Sequence, residues 1–201
     1  MKKNTFRLVL SALFVSLVLL LGMTPLGLIP LGFINVTVLC VPVLVGTLLL
    51  GIKTGLLLGF AFGTVSALAM LGMTLTPPSA LAGALLAAKP VYAFLMCYVP
   101  RLLTPVVAYA VYRALSKGKR SIKALPIAAA CGSLTNTVFY LGLMYLFYSL
   151  VPDLEAEKIV ALIAGTGILA GGAEAVVAAL LSVPIVTALW KTGKLPEEEN
   201  A

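Results

Sequence analysis

The chain has 201 residues, of which 61% are hydrophobic and 10% charged, and its mean hydropathy is +1.12. No water-soluble domain of this size can hide so much apolar surface, so the composition excludes a soluble enzyme and indicates a multi-pass membrane protein. The formal charge of +7 does not indicate nucleic-acid binding, because Lys and Arg stand in short clusters between apolar stretches and form no basic face interleaved with aromatics.

Residues 7–22 form the first apolar stretch. With Lys2, Lys3 and Arg7 around its start it resembles a secretory signal, but no small-x-small cleavage site precedes the next polar stretch, so it is read as a span. Ala12 and Ser16 give it a small-xxx-small spacing that either packs internally or offers a smooth face to another membrane subunit, and spacing alone favours the internal option. The segment Ile-Pro-Leu-Gly-Phe-Ile-Asn-Val-Thr (29–37) follows. Its Asn35 and Thr37 either present an amide and backbone groups to a ligand or simply cap the next helix.

The second and third spans are expected over 36–52 and 55–74. Gly51, Gly55, Gly59 and Gly63 recur at every fourth residue, the spacing of a close-packed helix face. Gly46, Gly51, Lys53 and Thr54 imitate a phosphate loop, but Ile52 intervenes before the Lys and the residues between the glycines are Thr-Leu-Leu-Leu at a helix end, so no nucleotide site is read there. Residues 75–98 are apolar enough to span, yet open with Thr76-Pro77-Pro78-Ser79 and are interrupted at Lys89-Pro90. They are read as a long loop or re-entrant segment at the outer surface, able to act as a lid, with Ser79 at its start. The remaining spans are expected over 99–115, 125–150 and 165–189.

Six spans put Lys2, Lys3, Arg7, Lys53, Arg113, Lys117, Lys119, Arg120, Lys123, Lys191 and Lys194 on one side, leaving Lys89, Arg101 and Lys158 elsewhere. A seventh span would send the basic cluster of the second half to the opposite side from that of the first. The expected fold is therefore an all-α integral membrane protein, a six-transmembrane-helix bundle over 1–201 as a single membrane domain, with a long loop between helices 3 and 4 and both termini cytoplasmic. The acidic stretches at 152–158 and 196–200 read as solvated caps. No inverted pair of broken segments is found in the two halves, which weakens an alternating-access secondary transporter.

The chain has no His, and its three Cys residues, Cys40, Cys97 and Cys131, are far apart in apolar surroundings. Neither a disulfide framework, a metal centre nor a catalytic constellation is supported. The informative residues are intramembrane polar groups, which are costly at bilayer depth unless paired or facing a cavity. Counting along the helices puts Glu174 about 24 Å above the inner boundary, Asn136 about 20 Å and Arg101 about 18 Å. Three groups from three helices at one depth form either a structural cluster that sets bundle register or an outward-facing pocket. In the pocket reading Arg101 holds a carboxylate, Asn136 and Glu174 take hydroxyl or amide groups, and Tyr140, one turn beyond Asn136, faces the same space.

The segment 29–37, the glycine-spaced stretch Leu-Gly-Ile-Lys-Thr-Gly-Leu-Leu-Leu-Gly-Phe-Ala-Phe-Gly (50–63), Val-Pro-Arg-Leu-Leu (99–103) and Leu-Thr-Asn-Thr-Val-Phe-Tyr-Leu-Gly-Leu (134–143) together resemble the substrate-binding S components of energy-coupling factor (ECF) vitamin transporters. The resemblance runs nearly the whole chain in order and is greatest to the pantothenate-type branch. It implies a prokaryotic plasma-membrane protein that binds a vitamin on its outer side and has no ATPase of its own. A transmembrane T component and two ATP-binding cassette ATPases would supply the power. It also implies a pocket at Asn35, Arg101, Asn136 and Glu174, and a docking motif on the first helix to which Ala12 and Ser16 are similar. Pantothenate is the ligand it favours, with riboflavin or another micronutrient as the alternative. An autonomous small secondary transporter and a non-transporting scaffold remain as other classes.

Overall fold

The computed structural model describes residues 3–30, 35–76, 79–117, 119–151, 154, 157, 160–161, 165 and 167–192. In chain order the elements are α1 (Lys3–Met23), a 3-10 turn (Pro25–Gly27), β1 (Leu28–Pro30), β2 (Asn35–Thr37), α2 (Cys40–Leu50), α3 (Ile52–Met70), α4 (Ala80–Ala88), α5 (Pro90–Ser116), α6 (Ala124–Leu150) and α7 (Ile168–Lys191). Among the described residues, α3, α5, α6, α7 and the Thr5–Met23 part of α1 are long and apolar enough to cross a membrane.

The segment expected as the second span divides. Asn35–Thr37 pairs antiparallel with Leu28–Pro30, in the register Leu28 with Thr37 and Pro30 with Asn35, and the helix that follows has only 11 residues. At 1.5 Å per residue α2 is about 16 Å long, roughly half the hydrocarbon thickness. Val36, Thr37 and Val38 are β-branched and suit extended backbone. Every residue of α2 is buried, so its continuous apolar run serves a position surrounded by other helices.

The expected loop at 75–98 is also different: it holds α4 and the first turns of α5. Lys89 is extended, with φ −147° and ψ 90°, and Pro90 occupies the start of α5. A proline at the first helical position loses no hydrogen bond, so Lys89-Pro90 joins two helices instead of breaking one. Tyr148 donates its hydroxyl to the Leu81 carbonyl at 2.7 Å, and Tyr92 stacks on Phe147 with ring centroids 4.7 Å apart; both contacts tie this region to α6.

The glycine ladder is a packing seam, as its spacing predicts. A Cβ at Gly55 would lie 2.5 Å from Thr47 Oγ1, at Gly59 2.5 Å from the Arg101 carbonyl oxygen, and at Gly63 2.7 Å from Tyr98 Cδ1. Only hydrogen at these positions lets α3 lie this close to α2 and α5. Gly51, with φ +88°, is the single residue between α2 and α3, in a backbone region that suits glycine.

Of the two readings of the α1 stripe, the internal packing that spacing favours is not what the structure has. The helix packs inward through Leu10, Phe14 and Val18, whereas Ala12 and Ser16 are exposed among the outward Leu8, Leu13, Leu17 and Leu20. A small-xxx-small spacing specifies a smooth stripe but not the direction it faces.

Arg7 donates from Nη2 to the Leu50 carbonyl at 3.0 Å, and the Arg120 guanidinium lies 5.6 Å over the Trp190 ring. The α2–α3 turn, the α5–α6 connection and the end of α7 thus gather at the basic end of the bundle. The hairpin, α4 and Lys89 lie at the other end. Two apolar clusters fill the interior, one around Leu44, Leu58 and Leu125 toward the basic end and one around Leu85, Met96 and Met144 toward the other. Arg101 and Asn136 fall between them along α5 and α6.

Candidate functional site

The site begins with an irregularity in α5. Pro100 and Pro105 both lie inside this helix, and each removes the N–H that the carbonyl four residues earlier would accept. Pro100 frees the Met96 carbonyl, which takes a hydrogen bond from Arg101 Nη1 at 3.0 Å. Pro105 frees the Arg101 carbonyl, and this oxygen faces Gly59 of α3. Arg101 therefore lies between two proline steps, its side chain bonded to the Met96 carbonyl and its own carbonyl oxygen close against Gly59.

The guanidinium carbon lies 4.6 Å from the Tyr140 ring centroid and 5.3 Å from that of Phe62, in contact range for cation–π attraction. Beside it is a cavity of about 160 Å³ lined by Ser66, Ala69, Met70, Ser79, Ala82, Met96, Cys97, Arg101 and Tyr140. Four helices and the residue ahead of α4 thus meet around one cation. Its Nε is buried without a hydrogen-bond partner among the described residues, as is Oδ1 of Asn136. An unpartnered polar atom at such depth costs about 1–3 kcal/mol, more when charged, which makes both atoms candidates for ligand contact.

Ser133, Asn136, Tyr140, Met144 and Phe147 recur at intervals of three or four along α6 and share one face. This face is polar in its lower half and aromatic or apolar above. Gly132 beside it meets Leu44 and Ala108, so the polar half looks into the bundle. Asn136 is 7% exposed.

Glu174 is hydrogen-bonded to the hairpin. Its Oε1 accepts from the Thr37 backbone N–H at 3.0 Å and from the Thr37 hydroxyl, and its Oε2 accepts from Thr137 Oγ1 at 3.3 Å. The carboxylate ties the β-hairpin to α6 and α7. Gly171, one turn earlier on α7, packs on the Thr137 side chain, which sets the register of that contact.

Of the residues singled out from sequence, Ser79, Arg101 and Tyr140 line one cavity, and Asn136 lies one turn below Tyr140 on the same helix. Glu174 bonds Thr137, the neighbour of Asn136 in the chain, and Thr37 of the hairpin. The side chain of Asn35 lies outside the described residues. Sequence reasoning missed Phe62, Ser66, Met96 and Thr137. Thr137 adjoins Asn136 in a polar triplet and could have been noticed; the Met96 carbonyl could have been inferred from Pro100 four residues on.

Glu174→Gln is expected to loosen the hairpin, because an amide offers one acceptor where the carboxylate uses two oxygens. Charge-assisted bonds of this kind contribute about 1.5–3 kcal/mol, so amide exchange at Thr37 should accelerate by roughly tenfold or more. Unchanged exchange at Thr37 would show that the hairpin is held by its strand pairing instead.

No curated protein sequence matches the chain significantly. Among solved structures it is similar in fold to the S component for biotin from an ECF-type ABC transporter, with a TM-score of 0.57, 20% identity, and coverage of 94% of this chain and 92% of that one. A sequence model of the family described as ECF transporter, substrate-specific component, matches residues 6–193. The chain therefore belongs to the substrate-specific component family of ECF transporters.

Proposed function

We propose that the protein captures a small carboxylate-bearing vitamin, pantothenate first among them, through Arg101. The observation that carries this reading is a guanidinium packed between two aromatic rings at the wall of a cavity, with a buried Nε that has no partner among the described residues. A carboxylate bridges the Nε–Nη2 edge of an arginine side-on, and that edge lies opposite the Nη1 used on Met96. Asn136 and Tyr140 supply an amide and a hydroxyl for the polar remainder of the ligand.

A cavity of about 160 Å³ is small beside the 300–1,000 Å³ usual for ligand pockets. Riboflavin is bulkier and carries no carboxylate for the clamp, so an acid such as pantothenate is favoured over it. Biotin, the ligand of the structural neighbour, is also an acid and suits the same clamp, so the two acids are separated by experiment. Melting the purified chain in detergent against a vitamin panel should show stabilisation by pantothenate, because a ligand of the folded state raises apparent stability. A biotin-only shift would reassign the ligand, and no shift with any vitamin would remove the binding role.

In this reading α2 and its hairpin complete a sixth crossing, the basic end is cytoplasmic and holds both termini, and Ser79 with α4 forms the outer lid. The chain works as a multi-pass subunit in a prokaryotic plasma membrane, without an ATPase site, beside a T component and two ATP-binding cassette ATPases. Uptake into liposomes by the chain alone, driven by an ion gradient, would instead establish an autonomous secondary transporter.

The outward stripe at Ala12 and Ser16 suits helix-to-helix docking with the T component. Ser16→Leu is expected to leave ligand binding unchanged while reducing co-purification with the T component by roughly tenfold, as one inserted large side chain costs about 1–3 kcal/mol in a packed interface. Equal recovery of the complex would place the docking surface elsewhere.

A further inference from the structure

The orientation of Arg101 has a cause in the residue before it. In an unbroken helix the Met96 carbonyl accepts the N–H of residue 100, and Pro100 has none. A proline ring inside a helix also crowds that carbonyl. Arg101 reaches it with Nη1 at 3.0 Å, so the side chain folds back toward the start of α5, the direction in which its Cα–Cβ bond already points. This return brings the guanidinium between Phe62 and Tyr140 at the cavity wall.

We infer that Pro100 is a positioning residue for the anion clamp, and that it thereby sets the preference of the site for a carboxylate over a neutral analogue. The inference rests on the proposed reading of Arg101 as that clamp. Alanine at 100 restores the backbone N–H, draws the Met96 carbonyl back into the helix ladder and removes the anchor of Nη1. The guanidinium then keeps only its ring contacts, and the Nε–Nη2 edge is no longer fixed. Because the exchange of Pro for Ala repairs a helix, the variant is expected to fold at least as well as the parent.

The test compares the full chain in detergent with Pro100→Ala, Arg101→Ala and Pro184→Ala, the last repairing a proline in α7 away from the cavity. The probes are pantothenate against panthenol, its alcohol, and biotin against its amide. Pro100→Ala should weaken the acid by roughly ten- to a hundredfold, the worth of a charged hydrogen-bonded contact, and leave the neutral analogue within about threefold. Pro184→Ala should keep the parent's preference. A readout without ligand is the exchange of the Arg101 Nε–H by nitrogen NMR, assigned by its loss in Arg101→Ala; it should accelerate in Pro100→Ala. Equal weakening of acid and neutral analogue would mean a merely structural proline. Retained preference and retained slow exchange would also overturn the positioning role, while leaving the clamp intact if Arg101→Ala loses the acid. If Arg101→Ala binds the acid like the parent, or neither acid binds the parent, the clamp falls and this inference with it.

Discussion

Arg101→Ala is expected to raise the dissociation constant for an acidic vitamin by roughly 30- to 1,000-fold, or about 2–4 kcal/mol, the usual cost of truncating one partner of a desolvated charge pair. The effect is large because the guanidinium is half-buried against aromatic faces, where a carboxylate that loses its cation is poorly resolvated. Arg101→Lys should recover little, since an ammonium neither bridges both carboxylate oxygens nor offers a planar face to Phe62 and Tyr140. Lys89→Ala is the control: Lys89 is exposed in the junction between α4 and α5 and should leave affinity unchanged. Titration calorimetry on the three variants checks this, and equally small losses from Arg101→Ala and Lys89→Ala would leave Arg101 only a packing role.

Gly59→Ala is expected to damage both the fold and the site. The new Cβ would lie 2.5 Å from the Arg101 carbonyl oxygen and 3.3 Å from both the Arg101 carbonyl carbon and Pro105 Cγ. Two of those atoms are backbone, so no side chain can rotate away and α3 must separate from α5. Overpacking costs about 1–3 kcal/mol, and the displaced segment carries Arg101, so ligand affinity should fall with the melting temperature. Gly142→Ala makes the contrast. It lies inside α6, and a methyl group there would meet no atom within 4 Å among the described residues. A helical Gly replaced by Ala without strain is expected to be neutral or stabilising by about 0.4–1 kcal/mol. Parallel melting curves settle the pair; a Gly59→Ala protein as stable as Gly142→Ala would contradict the α3–α5 contact.

Much of the candidate site was legible because a membrane interior makes polar residues conspicuous. Arg101, Asn136 and Tyr140 stand out in apolar helices, and helical rise alone places them near one level. Depth is not contact, however. Glu174 shares that level, but its partner Thr37 lies 137 positions away in the chain, on a hairpin whose folding back over α7 has no local signal. The same limit applies to 75–98: Pro90 stops a helix that contains it and starts one that begins with it, and only the path of α4 decides between the two.

By itself the sequence determined that the chain is a membrane bundle, which end of it is basic, where glycine permits helices to touch and which polar residues interrupt the apolar helices. These depend on composition, on the 3.6-residue period and on the chemistry of single residues, all of them local. The tertiary structure alone decided that α2 is a short buried helix, that Ala12 and Ser16 face outward, that Glu174 holds the hairpin and that Arg101 turns onto the Met96 carbonyl between two rings. Each of these depends on which helix lies opposite, and packing of distant segments is a property of the assembled fold that no local pattern encodes.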